Sequence, residues 1–188
     1  MKAKRLGIFP NLSKEKVHIA LPEFVAMCRD WGLEPLLPED VAGEFGCGGF
    51  DKKHITYMHN DYLESLDAAV SLGGDGTLLQ MARYTVPAGV PSFGINFGKL
   101  GFLAEIDLPG MRKAISKLAQ GNYTIERRKM LQATVIREGT VLETAHALND
   151  FVLAKGMFSK LAHLRMFING KPSGRYAADG LIISTATG

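Results

Sequence analysis

The 188-residue sequence lacks the features that mark disulfide-rich secreted proteins and membrane proteins. Its only cysteines, Cys28 and Cys47, are too few and too far apart for a disulfide framework or a four-cysteine zinc site. No apolar run approaches the length of a membrane span, and residues 1–11 hold no apolar stretch long enough for a signal peptide. We therefore expect a cytoplasmic protein with reduced thiols and no membrane partner.

The chain also lacks a strong excess of charge of one sign, because its net charge is only +3. Residues 125–188 hold nine basic and five acidic groups, an excess that suits either an anionic nucleotide or a solvated surface. The dense basic cluster at residues 126–129 has no interleaved aromatic side chains for stacking on bases. Nucleic acid is therefore not an expected partner.

Residues 1–121 alternate apolar strand patterns with helical patterns, which predicts an α/β domain with a parallel sheet. The predicted strands begin near Leu6, Leu36, Ala68 and Ser92, and a helix over 111–119 should end at Gly121. The glycine-rich segment 38–60 is predicted to be a loop.

Residues 122–188 carry short β patterns joined by turn signals, which predicts a second, all-β domain. Its first strand is expected at 123–125, and Asn169-Gly170 predicts a two-residue hairpin turn. A β module this small has little core and leaves strand edges open to pairing. We therefore expect an incomplete β domain.

The most informative motif is Gly73-Gly74-Asp75-Gly76-Thr77, which lies between an apolar run and a helical pattern that begins at Leu78. A glycine-rich turn from strand to helix presents backbone N–H groups and the positive end of a helix dipole, so it attracts phosphate. The negative charge of Asp75 would repel such a phosphate unless the carboxylate holds a cation or accepts a proton from an attacking hydroxyl. Both roles occur in phosphoryl transfer. The alternative is a structural turn in which Thr77 caps the helix.

A second glycine-rich loop follows the next strand, over residues 94–102. Two such loops at the carboxyl ends of strands should flank one crevice, which favours a nucleotide site. The loop is not a Walker P-loop, because Leu100 stands where a metal-binding Ser or Thr would be needed. Phe102 either packs in the core or lines an apolar slot for a base.

Two dipeptides in the β domain, each with one aspartate, are candidate ligands. Asn149-Asp150 suits a turn, or a nucleoside whose ribose hydroxyls the carboxylate could bind. Asp179-Gly180 has the same two interpretations. Lys160 could neutralise phosphate, although an exposed strand lysine is the simpler interpretation.

Taken in order, these motifs and the segment 179–185 resemble those of NAD kinases of the bacterial ATP- or polyphosphate-dependent type. The first motif alone is shared with diacylglycerol and sphingosine kinases, so a lipid kinase is the alternative, and an inactive nucleotide-binding fragment is a third possibility. The resemblance implies a Rossmann-like N-terminal domain, a β-sandwich C-terminal domain and a catalytic cleft between them. It also implies homodimers or homotetramers.

By that resemblance, Asp75 is the general base that takes the proton from the adenosine 2′-hydroxyl of NAD during phosphoryl transfer from ATP or polyphosphate, giving NADP. Mg²⁺ or another divalent cation would accompany the donor, with no metal-binding side chain assigned. The implied phosphate-binding residues are Gly73, Gly74, Gly76 and Thr77. The implied NAD-binding residues are Asp75, Gly76, Phe102, Asn149, Asp150, Lys160, Asp179 and Thr185.

The chain departs from the family pattern in a nucleoside-binding pair, at Ala177 where some relatives carry an Arg, at Ala186 where the family has a proline, and at its end. Asn149-Asp150 stands where the family often has Asn-Glu, so the carboxylate has a shorter reach. Family members continue past the segment 185–188 into a further sandwich portion, so we expect the 188-residue chain to have low activity or none.

Overall fold

The computed structural model describes residues 3–38, 41, 56–58, 63–98, 101–156 and 160–188. The chain divides into two compact units, Met1–Arg127 and Arg128–Gly188. Most of the predicted loop at 38–60 lies outside the described residues, as do Lys99 and Leu100. A strand at Thr56–Met58 lies inside that segment, so the loop prediction was wrong there. No helix in the described ranges is long and apolar enough to cross a membrane.

The first unit is built on a six-stranded sheet in which all paired strands run parallel. The strands are β1 (Arg5–Pro10), β2 (Glu34–Pro38), β3 (Thr56–Met58), β4 (Ala68–Gly73), β5 (Ser92–Asn96) and β6 (Ile106–Asp107). Their order is β3-β2-β1-β4-β5-β6. The direction of winding therefore reverses between β1 and β4, and ligands of open α/β sheets bind at the carboxyl ends of the strands at such a point. The predicted Rossmann-like domain is confirmed.

Three helices of this unit are described: α1 (Glu15–Asp30), α2 (Asp75–Thr85) and α3 (Met111–Gln120). α1 buries a stripe of apolar side chains at helical spacing, including Val17, Leu21 and Phe24. α3 ends at Gly121, whose φ of 76° is the left-handed conformation that glycine adopts readily, so the predicted stop is confirmed.

The core of the first unit lies where α1 meets the sheet. Leu6 and Ile8 from β1, and Val70 and Leu72 from β4, are fully buried in it. Burying a side chain of this size stabilises the fold by roughly 1.5–3 kcal/mol. The two strands on either side of the winding reversal are therefore firmly held.

The second unit consists of two-stranded antiparallel ladders: β7–β8, β9–β12 and β10–β11. The strands are β7 (Leu131–Arg137), β8 (Thr140–Ala147), β9 (Asp150–Ala154), β10 (Ala162–Ile168), β11 (Lys171–Ala178) and β12 (Gly180–Ser184). Asn169 and Gly170 both have positive φ, 51° and 76°, which confirms the predicted hairpin turn. Among the described residues of this unit, none belongs to the buried apolar core. This arrangement agrees with the predicted incomplete β domain.

The strand predicted at 123–125 is wrong, because residues 122–130 have no regular secondary structure. Tyr123 instead packs against the core of the first unit. That contact keeps Tyr123 with the α/β unit, and the first strand of the second unit begins at Leu131.

Candidate functional site

The Gly-Gly-Asp-Gly-Thr motif spans the end of β4 and the start of α2. Gly73 is the last residue of the strand, and Gly74 is the N-cap of the helix. The helix begins three residues before the predicted Leu78, so Asp75, Gly76 and Thr77 form its first turn. Thr77 is therefore inside the helix, and its assignment as the cap was wrong. This start gives the motif the N–H groups and the dipole end that favour phosphate.

Two glycines of the motif make room for neighbouring side chains. A Cβ atom at Gly73 would overlap the side chain of Thr77. A Cβ atom at Gly74 would lie 3.2 Å from the ammonium nitrogen of Lys14. The turn therefore requires glycine at position 73, whereas a side chain at position 74 would require Lys14 to shift.

The carboxylate of Asp75 binds three consecutive backbone N–H groups of the second glycine-rich loop. Phe102 donates to Oδ2 at 2.8 Å, while Leu103 and Ala104 donate to Oδ1 at 3.2 and 3.1 Å. Partial burial raises the pKa of Asp75, but these bonds together outweigh that effect, so the pKa lies below its ordinary value. Asp75 is consequently ionised at neutral pH. The two loops, which the sequence predicts on one crevice, are joined through this side chain.

The loop that follows β1 contributes Lys14, a residue that the sequence interpretation missed. Its ammonium donates to the carbonyl oxygen of Gly73 at 3.0 Å. Asn11, in the same loop, anchors it: the Asn11 N–H donates to the Leu72 carbonyl at 2.9 Å, and its Oδ1 accepts the Ser13 hydroxyl at 2.6 Å. The signal that could have found Lys14 is its place directly after the first strand, but its use required knowing that β1 lies beside β4.

Phe102 is 96% exposed, so its interpretation as a core residue was wrong. The N–H bond to Asp75 fixes its backbone while its ring stays on the surface. An aromatic ring held beside a phosphate-type loop is available to stack on a base.

Three of the predicted NAD-binding residues meet at one end of the β9–β12 ladder. The Asn149 amide donates to Asp150 Oδ2 at 2.7 Å. The Thr185 hydroxyl donates to the Leu148 carbonyl at 2.7 Å, and the Thr185 N–H donates to the Asn149 carbonyl at 2.8 Å. Asn149 and Asp150 are therefore joined through their side chains, and Thr185 is joined to this pair through the backbone.

Asp179 lies at the opposite end of the same ladder, where Gly180 pairs with Ala154. Its carboxylate is 2.6 Å from the ammonium of Lys155, which also donates to the Lys160 carbonyl at 3.2 Å. Asp179 and Lys160 thus form a second set. The structure does not bring this set together with Asn149 and Asp150.

Comparison with known proteins gives concordant results. The family model described as the ATP-NAD kinase N-terminal domain matches residues 11–123. The chain is 37% identical over 185 residues to a protein named NAD kinase from Thermoanaerobacter sp. (strain X514), and 38% identical over 186 residues to one from Caldanaerobacter subterraneus subsp. tengcongensis. Each match covers 98% of this chain and 64% of the relative, so the chain spans less than two thirds of these relatives' length.

Solved structures show the same fold. The crystal structure of yeast NADH kinase complexed with NADH superposes with a TM-score of 0.87 at 24% identity, over 100% of this chain and 59% of that one. The crystal structure of an NAD kinase from Archaeoglobus fulgidus in complex with ATP gives a TM-score of 0.62 at 17% identity, over 96% and 60% of the two chains. Because both sequence identities are below 25%, these two structures show only that the fold is shared.

Proposed function

The chain belongs to the ATP-NAD kinase family, and from that premise we propose that the protein transfers a phosphoryl group from ATP or polyphosphate to the adenosine 2′-hydroxyl of NAD, giving NADP. The observation that carries the proposal is the ionised carboxylate of Asp75 in the first turn of α2, beside bare glycine backbone at the winding reversal of the sheet. This arrangement supplies a proton acceptor and a phosphate-binding helix end at one place.

Asp75 is the proposed general base. A carboxylate has about four lone-pair positions, and the N–H groups of Phe102, Leu103 and Ala104 occupy three of them. One position remains for the hydroxyl of the acceptor. The lowered pKa makes Asp75 a weak base, which suits a loose transition state in which the hydroxyl loses its proton late.

The phosphates of the donor are proposed to lie at the start of α2, against Gly73, Gly74, Gly76 and Thr77. As the 2′-oxygen forms its bond to the terminal phosphorus, the bond from that phosphorus to the bridging oxygen breaks. Its electron pair leaves with ADP or with the shortened polyphosphate. The role of this loop is to position the phosphates and offset their charge.

A divalent cation is proposed to enter this site as a companion of the donor. Among the described residues, no group of three or more His, Cys, Asp or Glu side chains could hold a metal ion. Mg²⁺ in kinases keeps several waters and is bound through substrate phosphates with one or two carboxylates. When bound, it would neutralise charge on the transferring phosphates.

Asn149, Asp150 and Thr185 are the proposed ligands of the nucleoside, because their polar groups converge at one end of the β9–β12 ladder. Asp179 and Lys160 are proposed to contact NAD from the other end of that ladder. Assembly as a homodimer or homotetramer and a cytoplasmic location stay predictions, and light scattering on the purified protein tests the first.

The test is NADP formation by the purified chain with NAD, Mg²⁺ and either ATP or polyphosphate. We expect slow NADP formation from the wild-type chain, in line with its low expected activity, and the same rate from Asp30→Asn, a matched change on an exposed carboxylate at the end of α1. Asp75→Asn should form none while it keeps the circular dichroism spectrum of the wild type. NADP formation unchanged by Asp75→Asn would reject Asp75 as the base. Calorimetric binding of NAD without any turnover would reject the proposal for this chain.

A further inference from the structure

Lys14 lies in the loop after β1, directly across the winding reversal from the loop that carries Asp75. Resting on the proposed function, we propose that the ammonium of Lys14 binds the phosphate chain of the phosphoryl donor. The order of the sheet supports this placement, because β1 and β4 are neighbours and Lys14 follows β1 as Asp75 follows β4. Both loops therefore open at the sheet edge where open α/β folds bind nucleotides.

The Lys14 ammonium lies against the backbone of both glycine-rich loops. It is 3.0 Å from the Gly73 carbonyl oxygen, 3.2 Å from the position of a Cβ at Gly74 and 3.9 Å from that of a Cβ at Gly98. Because no side chain stands at these glycines, the ammonium can reach a phosphate that either loop holds. A lysine in this position acts as a mobile point charge with three donors.

The charge of Lys14 is unpaired in the part of the chain that the structure describes. Its one hydrogen-bond partner there is the Gly73 carbonyl, which leaves two N–H donors. The nearby Asp75 carboxylate is bound to the Phe102, Leu103 and Ala104 N–H groups, and no ion pair joins it to Lys14. This ammonium is therefore available to pair with an anion.

The position of Lys14 is also unfavourable for the helix that it begins. Lys14 is the N-cap of α1 and makes no side-chain cap, and a cation near a helix N-terminus opposes the helix dipole. The N-terminus of α2 opens at the same sheet edge and adds positive potential. A ligand with several negative charges would relieve both effects, and a phosphate chain has that chemistry.

The experiment is calorimetric titration of the full 188-residue chain with inorganic tripolyphosphate and, separately, with NAD. We compare Lys14→Met and Lys14→Arg with Lys16→Met, which removes the same charge from an exposed residue two positions away. Lys14→Met should weaken tripolyphosphate binding about tenfold to a hundredfold, as expected for a lost hydrogen bond to a charged group. Lys14→Arg should recover part of the affinity. NAD affinity should change less than about twofold in every variant, within the scatter usual for surface substitutions.

Three outcomes would overturn the assignment: no binding of tripolyphosphate by the wild-type chain, equal weakening by Lys14→Met and Lys16→Met, or equal losses of tripolyphosphate and NAD affinity in Lys14→Met. Failure of the proposed function is a different result. If the chain binds tripolyphosphate through Lys14 but forms no NADP, Lys14 remains a phosphate ligand and the proposed kinase activity is rejected. If the chain forms NADP and Lys14→Met does not raise the KM for the donor, the kinase activity stands and Lys14 is rejected as a donor ligand.

Discussion

The carboxylate of Asp75 occupies the space that a side chain at Gly101 would need. This relationship connects two motifs that the sequence separates by a helix and a strand. With glycine at 101, the carboxylate reaches the N–H groups of the three following residues. Gly101 is therefore a condition for the position and the ionisation of Asp75.

Gly101→Ala should move Asp75 away from these N–H groups. The loss leaves backbone donors without their acceptor, so we expect the free energy of unfolding to fall by roughly 1–3 kcal/mol. Urea denaturation of the purified variants measures the change. Gly156→Ala is the matched control, because a Cβ there would have no neighbour within 4 Å. Equal stability of the two variants would contradict the steric argument.

The stabilising contribution of Asp75 should depend on pH in a defined direction. Its pKa is lowered in the folded protein, so the contribution is fully present above the unfolded value of about 3.9 and is lost as pH falls through the folded pKa. Asp75→Asn should therefore be less stable than the wild type at pH 7, and the difference should shrink below about pH 4. Urea denaturation at several pH values measures it. A difference that grows on acidification would mean that the pKa is raised instead.

The sequence predicts the parts of this site that depend on local chemistry. Glycines 73, 74 and 76 between a buried strand and a helical pattern predict the turn, because no other residue type leaves backbone so exposed. The role of Lys14 could not be predicted in this way. Its contact with Gly73 joins residues 59 positions apart, and it depends on which strands are neighbours.

The same limit explains why the sequence left two interpretations of Phe102 open and why its strand prediction at 123–125 was wrong. Phe102 was assigned either to the core or to a ligand slot, and the Asp75 contact that holds its backbone at the surface is 27 positions away. Residues 123–125 have a strand-like composition, but Tyr123 packs on a core built from distant residues. Tertiary contacts of this kind override local pattern.

Cys28 should be chemically inert in the folded protein. Burial raises the pKa of its thiol to about 12, although Arg29 acts in the opposite direction, so the reactive thiolate is scarce at pH 8. In a Cys47→Ser variant, maleimide labelling should proceed only as fast as the chain unfolds, and urea should accelerate it strongly. Rapid labelling in native buffer would show that the side chain is accessible.

The buried face of α1 should determine the stability of the first unit. Phe24→Ala removes a ring that is fully buried between the helix and the sheet, and such changes cost about 3–5 kcal/mol. Ile19→Ala is the control on the same helix, because that side chain is 69% exposed and should cost under about 0.5 kcal/mol. Thermal and urea denaturation measure both. A similar fall in the free energy of unfolding in the two variants would mean that Phe24 does not lie on the face of α1 that packs against the sheet.

Thr185 should support NAD binding through the end of the β9–β12 ladder. Its hydroxyl donates to the Leu148 carbonyl and accepts the N–H groups of Thr187 at 3.0 Å and Gly188 at 3.3 Å, so it fixes the backbone beside Asn149 and Asp150. Thr185→Val keeps the shape of the side chain but removes these three bonds. We expect it to weaken NAD binding about tenfold, the effect of about 1.4 kcal/mol.

Calorimetric titration with NAD measures this effect, and Thr187→Val is the matched control. Within the described parts of the chain, the Thr187 hydroxyl makes no hydrogen bond, so its removal should leave NAD affinity within about twofold of the wild type. Tripolyphosphate affinity should be unchanged in both variants, because the phosphate-binding residues proposed above lie in the first unit. Equal NAD affinity of Thr185→Val and Thr187→Val would show that this end of the ladder does not bind the nucleoside. Asn149 and Asp150 would then be residues of a structural turn.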